Sequence, residues 1–275
     1  MDLKTRRKLN NGIEIPVMGL GVFRSPPGRT TREAIGYAFE AGYRHIDTAY
    51  IYGNEADVGK AIAASGIPRE ELFVTTKLWN EHQGFESTLK ACEQSLRKMK
   101  LDYLDLFLIH WPVPELRLES WRAMEKLQAD GKCRSIGVSN FMVQHLEELL
   151  VNFDTVPAVN QIELSPYNYL QRKNLLALCN TLNIVIEAYS PLTKGRKLGD
   201  PNLLKIAGKY EKTSAQILIR WALQRDFVVL PKSVNRERII ENASVFDFSL
   251  KAEDLKSLDR LNENLSTGWD PTHAP

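Results

Sequence analysis

The sequence predicts an α/β protein, a (β/α)8 TIM barrel with an N-terminal β-hairpin, and three observations predict it. Eight short strand-like segments alternate with helical patterns, and eight such units in about 250 residues are the size of this barrel. The strand-like segments are apolar without strict alternation, as expected where both faces of a parallel sheet are covered. No low-complexity stretch or Pro/Gly/Ser linker divides the chain, so a single barrel domain spanning residues 1–275 is expected. A doubly wound open sheet is the alternative, since it also alternates strands and helices.

Residues 6–16 read as the hairpin, turning at Asn10-Asn11-Gly12 between Leu9 and Ile13-Glu14-Ile15. The eight strands follow at Val17–Val22, Tyr43–Thr48, Leu72–Leu78, Leu104–His110, Ser135–Ser139, Val159–Glu163, Val185–Ser190 and Val228–Ser233. Among the helices, Thr213–Arg225 has the clearest pattern. Thr213 and Gln216 make a capping box, and Ile217/Trp221 and Leu218/Ala222 are apolar pairs four residues apart. Glu86–Met99 and Ser120–Asp130 behave similarly, the second stopping at Gly131. Asn54 reads as an N-cap, with Asp57 completing a carboxylate version of the box. Two loops stand out at strand ends, Pro112–Glu119 and Pro191–Asn202. The tail Leu265–Pro275 lacks periodicity and is expected to lie over the surface as coil.

Composition narrows the function. Apolar residues are 43%, charged residues 25%, and the net charge is +2, which supports a full core and argues against nucleic-acid binding. The only N-terminal basic run, Lys4, Arg6, Arg7 and Lys8, leads straight into the hairpin. No membrane span or apolar signal region is expected. Cys92, Cys133 and Cys179 are sparse, odd in number and without CxxC spacing. They suit inert buried thiols in a cytoplasmic protein.

In a barrel, polar residues at strand C-termini collect at one mouth. The second strand delivers Asp47, with Tyr50 and Tyr52 in the loop beyond, the third Lys77 and the fourth His110. The fifth delivers Ser139 and Asn140, the sixth Gln161 and Glu163, the seventh Tyr189 and Ser190, the eighth Lys232 and Ser233. Taken singly, each also reads as a core or solvated polar residue; together they have a coherent chemistry. A carbonyl being reduced develops negative charge on oxygen and needs a proton as hydride arrives. A tyrosine can supply it if its pKa is brought down toward neutrality. A lysine would stabilise the phenolate, an aspartate would hold the lysine, and a histidine would hydrogen-bond the carbonyl oxygen. No HxH or HExxH spacing suggests a metal.

The hydride needs a cofactor, yet Gly19-Leu20-Gly21 lacks the third glycine of a dinucleotide fingerprint. A phosphate grip lies instead in Leu230-Pro231-Lys232-Ser233, followed by Asn235 capping a short helix that carries Arg238 in its first turn. One lysine, one arginine, a hydroxyl and a helix N-terminus suit a monoester phosphate, which points to NADPH over NADH.

Over essentially its whole length the sequence resembles the aldo-keto reductases. Gly42-Tyr43-Arg44-His45-Ile46-Asp47-Thr48-Ala49, with Glu55 and Gly59, is similar to that family's first signature. Leu230-Pro231-Lys232-Ser233, with Arg238 and Asn242, is similar to its cofactor signature. The resemblance implies Asp47, Tyr52, Lys77 and His110 as a catalytic tetrad, choosing Tyr52 over Tyr50 because the family tyrosine lies five residues after the aspartate. It also implies NADPH/NADP+ as cofactor, with Ser139, Asn140 and Gln161 on the nicotinamide carboxamide and Tyr189 stacked on the ring. Ser190 and Leu192 join that cofactor set. Lys232, Ser233 and Arg238 would hold the 2′-phosphate, with Glu241 and Asn242 near the adenine. Phe23, Trp79, Trp111 and His110 would line the substrate pocket, and a monomer is the family-level expectation.

The short loop after His110 and the short tail look more like the microbial 2,5-diketogluconate reductase and prostaglandin F synthase type. Ser165 stands where many relatives have histidine and Phe23 where many have tryptophan. The expected activity is reduction of a small-molecule aldehyde or ketone. Two other activities compete with it: a Schiff-base lyase using Lys77 or Lys232 as nucleophile, and a cofactor-binding subunit without catalysis.

Overall fold

The computed structural model describes residues 1–275. Two antiparallel strands, β1 (Arg6–Lys8) and β2 (Glu14–Pro16), form the hairpin. Its Leu9 and Ile15 pack on Phe73, Leu106, Val159, Val185 and Val228, most of them at or near the starts of barrel strands, so the hairpin plugs the end opposite the strand C-termini.

The barrel strands are β3 (Leu20–Gly21), β4 (His45–Asp47), β5 (Phe73–Leu78), β6 (Leu104–Ile109), β7 (Cys133–Ser139), β8 (Val159–Glu163), β9 (Val185–Tyr189) and β10 (Val228–Leu230). They lie side by side in chain order, all neighbours parallel. A parallel bridge from Met18 to Val229 closes the ring. Unbroken sequential order excludes the doubly wound sheet, whose strand order reverses midway. The first strand is shorter than expected. The backbone from Val17 to Gly21 instead makes three bonds across the closure, two with Val229 and one to Pro231.

Helices α1 (Arg29–Glu40), α2 (Glu55–Ser65), α3 (Phe85–Met99), α4 (Arg117–Ala129), α5 (Val143–Asn152), α6 (Lys173–Thr181), α7 (Pro201–Lys209), α8 (Ser214–Gln224), α9 (Arg236–Ala243) and α10 (Ala252–Asp259) are interspersed with the strands. The expected capping box opens α8: Gln216 N donates to Thr213 Oγ1 at 3.2 Å and Thr213 N to Gln216 Oε1 at 3.0 Å. Ile217, Leu218 and Trp221 on that helix are fully buried, and each large apolar side chain so buried contributes about 1.5–3 kcal/mol. Packing, more than intrinsic propensity, holds it.

The box expected at α2 is absent. Asn54 Oδ1 accepts instead from Thr48 Oγ1 at 2.7 Å, and Asn54 Nδ2 donates to Val22 O at 2.9 Å. Asp57 is taken by Arg32 and by the Gly28 amide, both at 2.7 Å. Asn54 thus locks the loop after β4 to the end of β3.

All three cysteines are buried and free. No helix is long and apolar enough to cross a membrane.

Candidate active site

Asp47 ends β4 and Lys77 lies near the end of β5, adjacent parallel strands whose side chains enter the barrel together. Lys77 is fully buried and Asp47 4% exposed. Lys77 Nζ donates to both Asp47 carboxylate oxygens at 2.7 Å and to Thr48 O at 2.8 Å, and stands 3.4 Å from the Tyr52 hydroxyl. Its three N–H bonds are thereby committed, and no lone pair is free for attack on a carbonyl. The amine required for a Schiff-base reaction at Lys77 is not available in this arrangement.

A short 3-10 turn, Tyr50–Tyr52, follows β4 and ends at Gly53, whose φ of 69° suits glycine. The turn separates the two tyrosines. Tyr52 faces Lys77, whereas Tyr50 packs edge-on to His82 at 4.5 Å and beneath Lys98 Nζ at 3.8 Å. Tyr52 as a whole is half-buried, but its hydroxyl end is enclosed, and desolvation pushes its pKa well above the ordinary phenol value. Asp47 and Glu187 push it further in the same direction. The expected lowering toward neutrality is not found, because burial, then the negative charges of Asp47 and Glu187, act against ionisation of the phenol. Tyr52 is therefore a protonated donor throughout the neutral range.

His110 follows β6. Burial, then the Lys77 charge, lowers its pKa well below the ordinary imidazole value, so it is neutral. Its Nδ1 is buried without a partner. An unpaired acceptor costs less than an unpaired N–H, which places the proton on Nε2. The aromatic neighbours are Tyr52 at 5.8 Å, Trp79 at 5.3 Å and Trp111, stacked at 6.1 Å between ring centres. Phe23, 44% exposed, lies 5.0 Å from Tyr52.

Beyond His110 a polar chain crosses β7, β8 and β9. Tyr189 donates to Asn140 Oδ1 at 2.9 Å, while Asn140 Nδ2 donates to Ser139 Oγ and to His110 O at 3.0 Å. Ser139 donates to Gln161 O at 2.9 Å. Asn140 and Ser190, each just past a strand end, have positive φ of 63° and 48°. Leu192, next but one, packs its partly buried side chain on the core.

At the last strand's end, Ser233 Oγ accepts from Asn235 N at 3.1 Å, and Asn235 caps α9 by accepting from Arg238 N at 3.0 Å. Lys232 and Arg238 are both exposed on the surface. Partial desolvation lowers the Lys232 pKa, with no acid acting on it. Arg236 alone of the neighbouring cations is paired, with Glu40 at 3.3 Å. Glu241 accepts from Thr213 Oγ1 at 2.7 Å, and Asn242 is buried on the inner face of α9.

Sequence reasoning missed three features. Glu187, fully buried, lies on β9 beneath the Asp47–Lys77 pair; an acid inside the apolar run Val185-Ile186-Glu187-Ala188 was the available signal. Glu163 does not face the pocket chemistry but anchors the tail, accepting from Thr267 N at 2.9 Å and from the Thr267 hydroxyl. The tail is consequently pinned, with a further ion pair from Arg172 to Asp270 at 2.8 Å. It brings Trp269 to 5.0 Å from Trp111, edge to face. An aromatic in an aperiodic tail was the only hint.

A neutral histidine, a protonated tyrosine and a buried lysine–carboxylate pair thus meet at the C-terminal mouth of a (β/α)8 barrel. The family model for the Aldo/keto reductase family matches residues 17–263. The glyoxal reductase of Bacillus subtilis is 50% identical over 269 residues, covering 98% of this chain and 97% of that protein. The 9,11-endoperoxide prostaglandin H2 reductase of Trypanosoma cruzi is 48% identical over 266 residues, covering 96% and 93%. Among solved structures, a Bombyx mori aldo-keto reductase in complex with NADP superposes with a TM-score of 0.89 at 38% identity, over 97% of this chain and 95% of that one. The chain belongs to the aldo-keto reductase family, and its activity is NADPH-dependent carbonyl reduction.

Proposed function

We propose that Asp47, Tyr52, Lys77 and His110 carry out the reduction of aldehydes and ketones, with Tyr52 as proton donor. The observation that carries this reading is Lys77 Nζ standing between Asp47 and the Tyr52 hydroxyl at 2.7 Å and 3.4 Å. The carbonyl oxygen is received between His110 Nε2–H and the Tyr52 hydroxyl. Tyr52 gives its proton to that oxygen, and Lys77 stabilises the phenolate left behind. Water then reprotonates Tyr52. Asp47 keeps the ammonium in place throughout.

The unpaired cations Lys232 and Arg238, the Ser233 hydroxyl and the α9 N-terminus fit a 2′-phosphate. Ser139, Asn140 and Gln161 fit a carboxamide by donor and acceptor type, with Tyr189 as the stacking face and Ser190 and Leu192 beside it. When bound there, NADPH supplies the hydride. Asn242 takes the adenine side; Glu241 serves it only by leaving Thr213.

Phe23, Trp79, Trp111 and His110 form the substrate wall. Likeness to the Bacillus glyoxal reductase favours small dicarbonyls such as glyoxal and methylglyoxal among the substrates. We further infer a cytoplasmic monomer acting as one barrel domain. Oxidation of NADPH with a panel of these dicarbonyls and nitrobenzaldehyde tests the reading; cofactor binding without turnover of any carbonyl would revive the non-catalytic alternative.

A further inference from the structure

Glu187 has no part in the proton transfer described above, yet it is fully buried directly under it. We propose that Glu187 is a positioning residue: it stays protonated at neutral pH, holds the Gln161 amide against Asp47, and by ionising sets the alkaline limit of carbonyl reduction. This rests on the assignment of Tyr52 as proton donor.

The geometry is a single amide shared by two carboxyl groups. Gln161 Nε2 donates to Glu187 Oε2 at 2.6 Å and to Asp47 Oδ2 at 2.8 Å. Each strand facing Glu187 brings its own groups. β4 brings His45 and Asp47, β5 brings Thr75 and Lys77, and β8 brings Gln161. The residue of β10 in register with Glu187 is the apolar Val228, and Tyr52 comes from the turn after β4. Only Lys77 among these is a cation, and its close contacts are with Asp47, Thr48 and Tyr52, with no hydrogen bond to Glu187. His45 cannot serve as a second cation. Its Nε2 is 3.0 Å from Thr75 Oγ1 and 3.5 Å from Glu187 Oε1, and burial, with Lys77 adding, brings its pKa down to about 3.

An ionised Glu187 would therefore be a buried carboxylate with one donor, and its Oε1 has no hydrogen-bond partner. That is a costly arrangement for a charge and a tolerable one for a neutral acid. Protonated, Glu187 leaves one carboxylate matched to one ammonium. Burial, then Asp47, raises its pKa to about 8, against the opposing pull of Gln161 and Lys77. Above that pH a second negative charge faces Tyr52 and makes its phenol a weaker acid, so proton donation to the carbonyl slows.

Two measurements on the full-length protein test this. In infrared difference spectra between wild type and Glu187→Gln, a protonated-carboxyl stretch is expected at neutral pH in the wild type only, titrating away near pH 8. With methylglyoxal and NADPH, kcat of the wild type should fall across the same range, and Glu187→Gln should move that fall upward by about one pH unit or more, roughly a tenfold change in proton affinity. Glu187→Asp, which restores an acid, should bring the fall back. A missing carboxyl band, or an alkaline fall unmoved in Glu187→Gln, overturns the proposal. A wild type that turns over no carbonyl would sink the assigned reaction and the alkaline limit with it, while the infrared band would still decide whether Glu187 is protonated.

Discussion

Lys77 Nζ is equidistant from the two carboxylate oxygens of Asp47, at 2.7 Å each, and stands 3.4 Å from the hydroxyl of Tyr52. The lysine is thus anchored to its counter-ion first and presented to the phenol second. Burial and the nearby acids keep the proton on the tyrosine at rest, with the lysine already beside the hydroxyl.

Replacing the lysine should therefore affect both stability and catalysis. Lys77→Met leaves Asp47 buried without its partner, a loss of about 3–5 kcal/mol, so a Tm lower by roughly 10 °C is expected. Lys77→Met with Asp47→Leu should recover much of that Tm and none of the activity. Thermal unfolding beside steady-state assays checks both; recovery of activity in the double variant would contradict the assigned role.

The cofactor grip predicts a selective loss. Lys232→Met combined with Arg238→Ala should weaken NADPH binding about 10- to 100-fold, because charge-assisted bonds each contribute about 1.5–3 kcal/mol before solvent screening reduces them at an exposed site. NADH should change little. Fluorescence titration of both cofactors measures this, and equal losses would oppose the 2′-phosphate assignment.

Trp269 meets Trp111 edge to face and is 58% exposed. Trp269→Ala should raise KM for nitrobenzaldehyde several-fold, an aromatic contact being worth about 0.5–1.5 kcal/mol, while KM for methylglyoxal changes little. Equal changes for both substrates would mean that Trp269 does not touch the larger one.

Buried ionisable groups also shape stability against pH. Glu187 has its folded pKa raised from 4.5 to about 8. The stability it contributes is full below 4.5 and is lost as pH rises toward 8. His45 is lowered from 6.5 to about 3, so its contribution is full above 6.5 and is lost as pH falls toward 3. Relative to wild type, Glu187→Gln should gain stability steadily between about pH 4.5 and 8. Denaturant unfolding across that range checks the sign; a constant difference would mean that Glu187 does not titrate.

Much of the barrel was legible because eight short apolar strand segments alternate with helical patterns along the chain. β8 has the expected bounds, Val159–Glu163, and the Thr213–Gln216 box opens α8 as read. Local pattern failed where distant backbone competed for a side chain. Asn54 reads as a cap from its neighbours alone, but the fold brings Val22 O within reach of its amide. Tyr52 was expected to be acidified by Lys77, a pairwise argument that could not see Glu187 and the burial around it. The tail gave no periodic signal, since it is held by Glu163 and Arg172 rather than by an apolar face of its own.

The central claim is that Tyr52, and not Tyr50, donates the proton. Single-turnover oxidation of NADPH with methylglyoxal should slow by about 10²–10⁴-fold in Tyr52→Phe, the usual worth of a general acid. NADPH affinity should stay at the wild-type value, and Tyr50→Phe should remain close to wild type in rate. Full turnover in Tyr52→Phe would contradict the account.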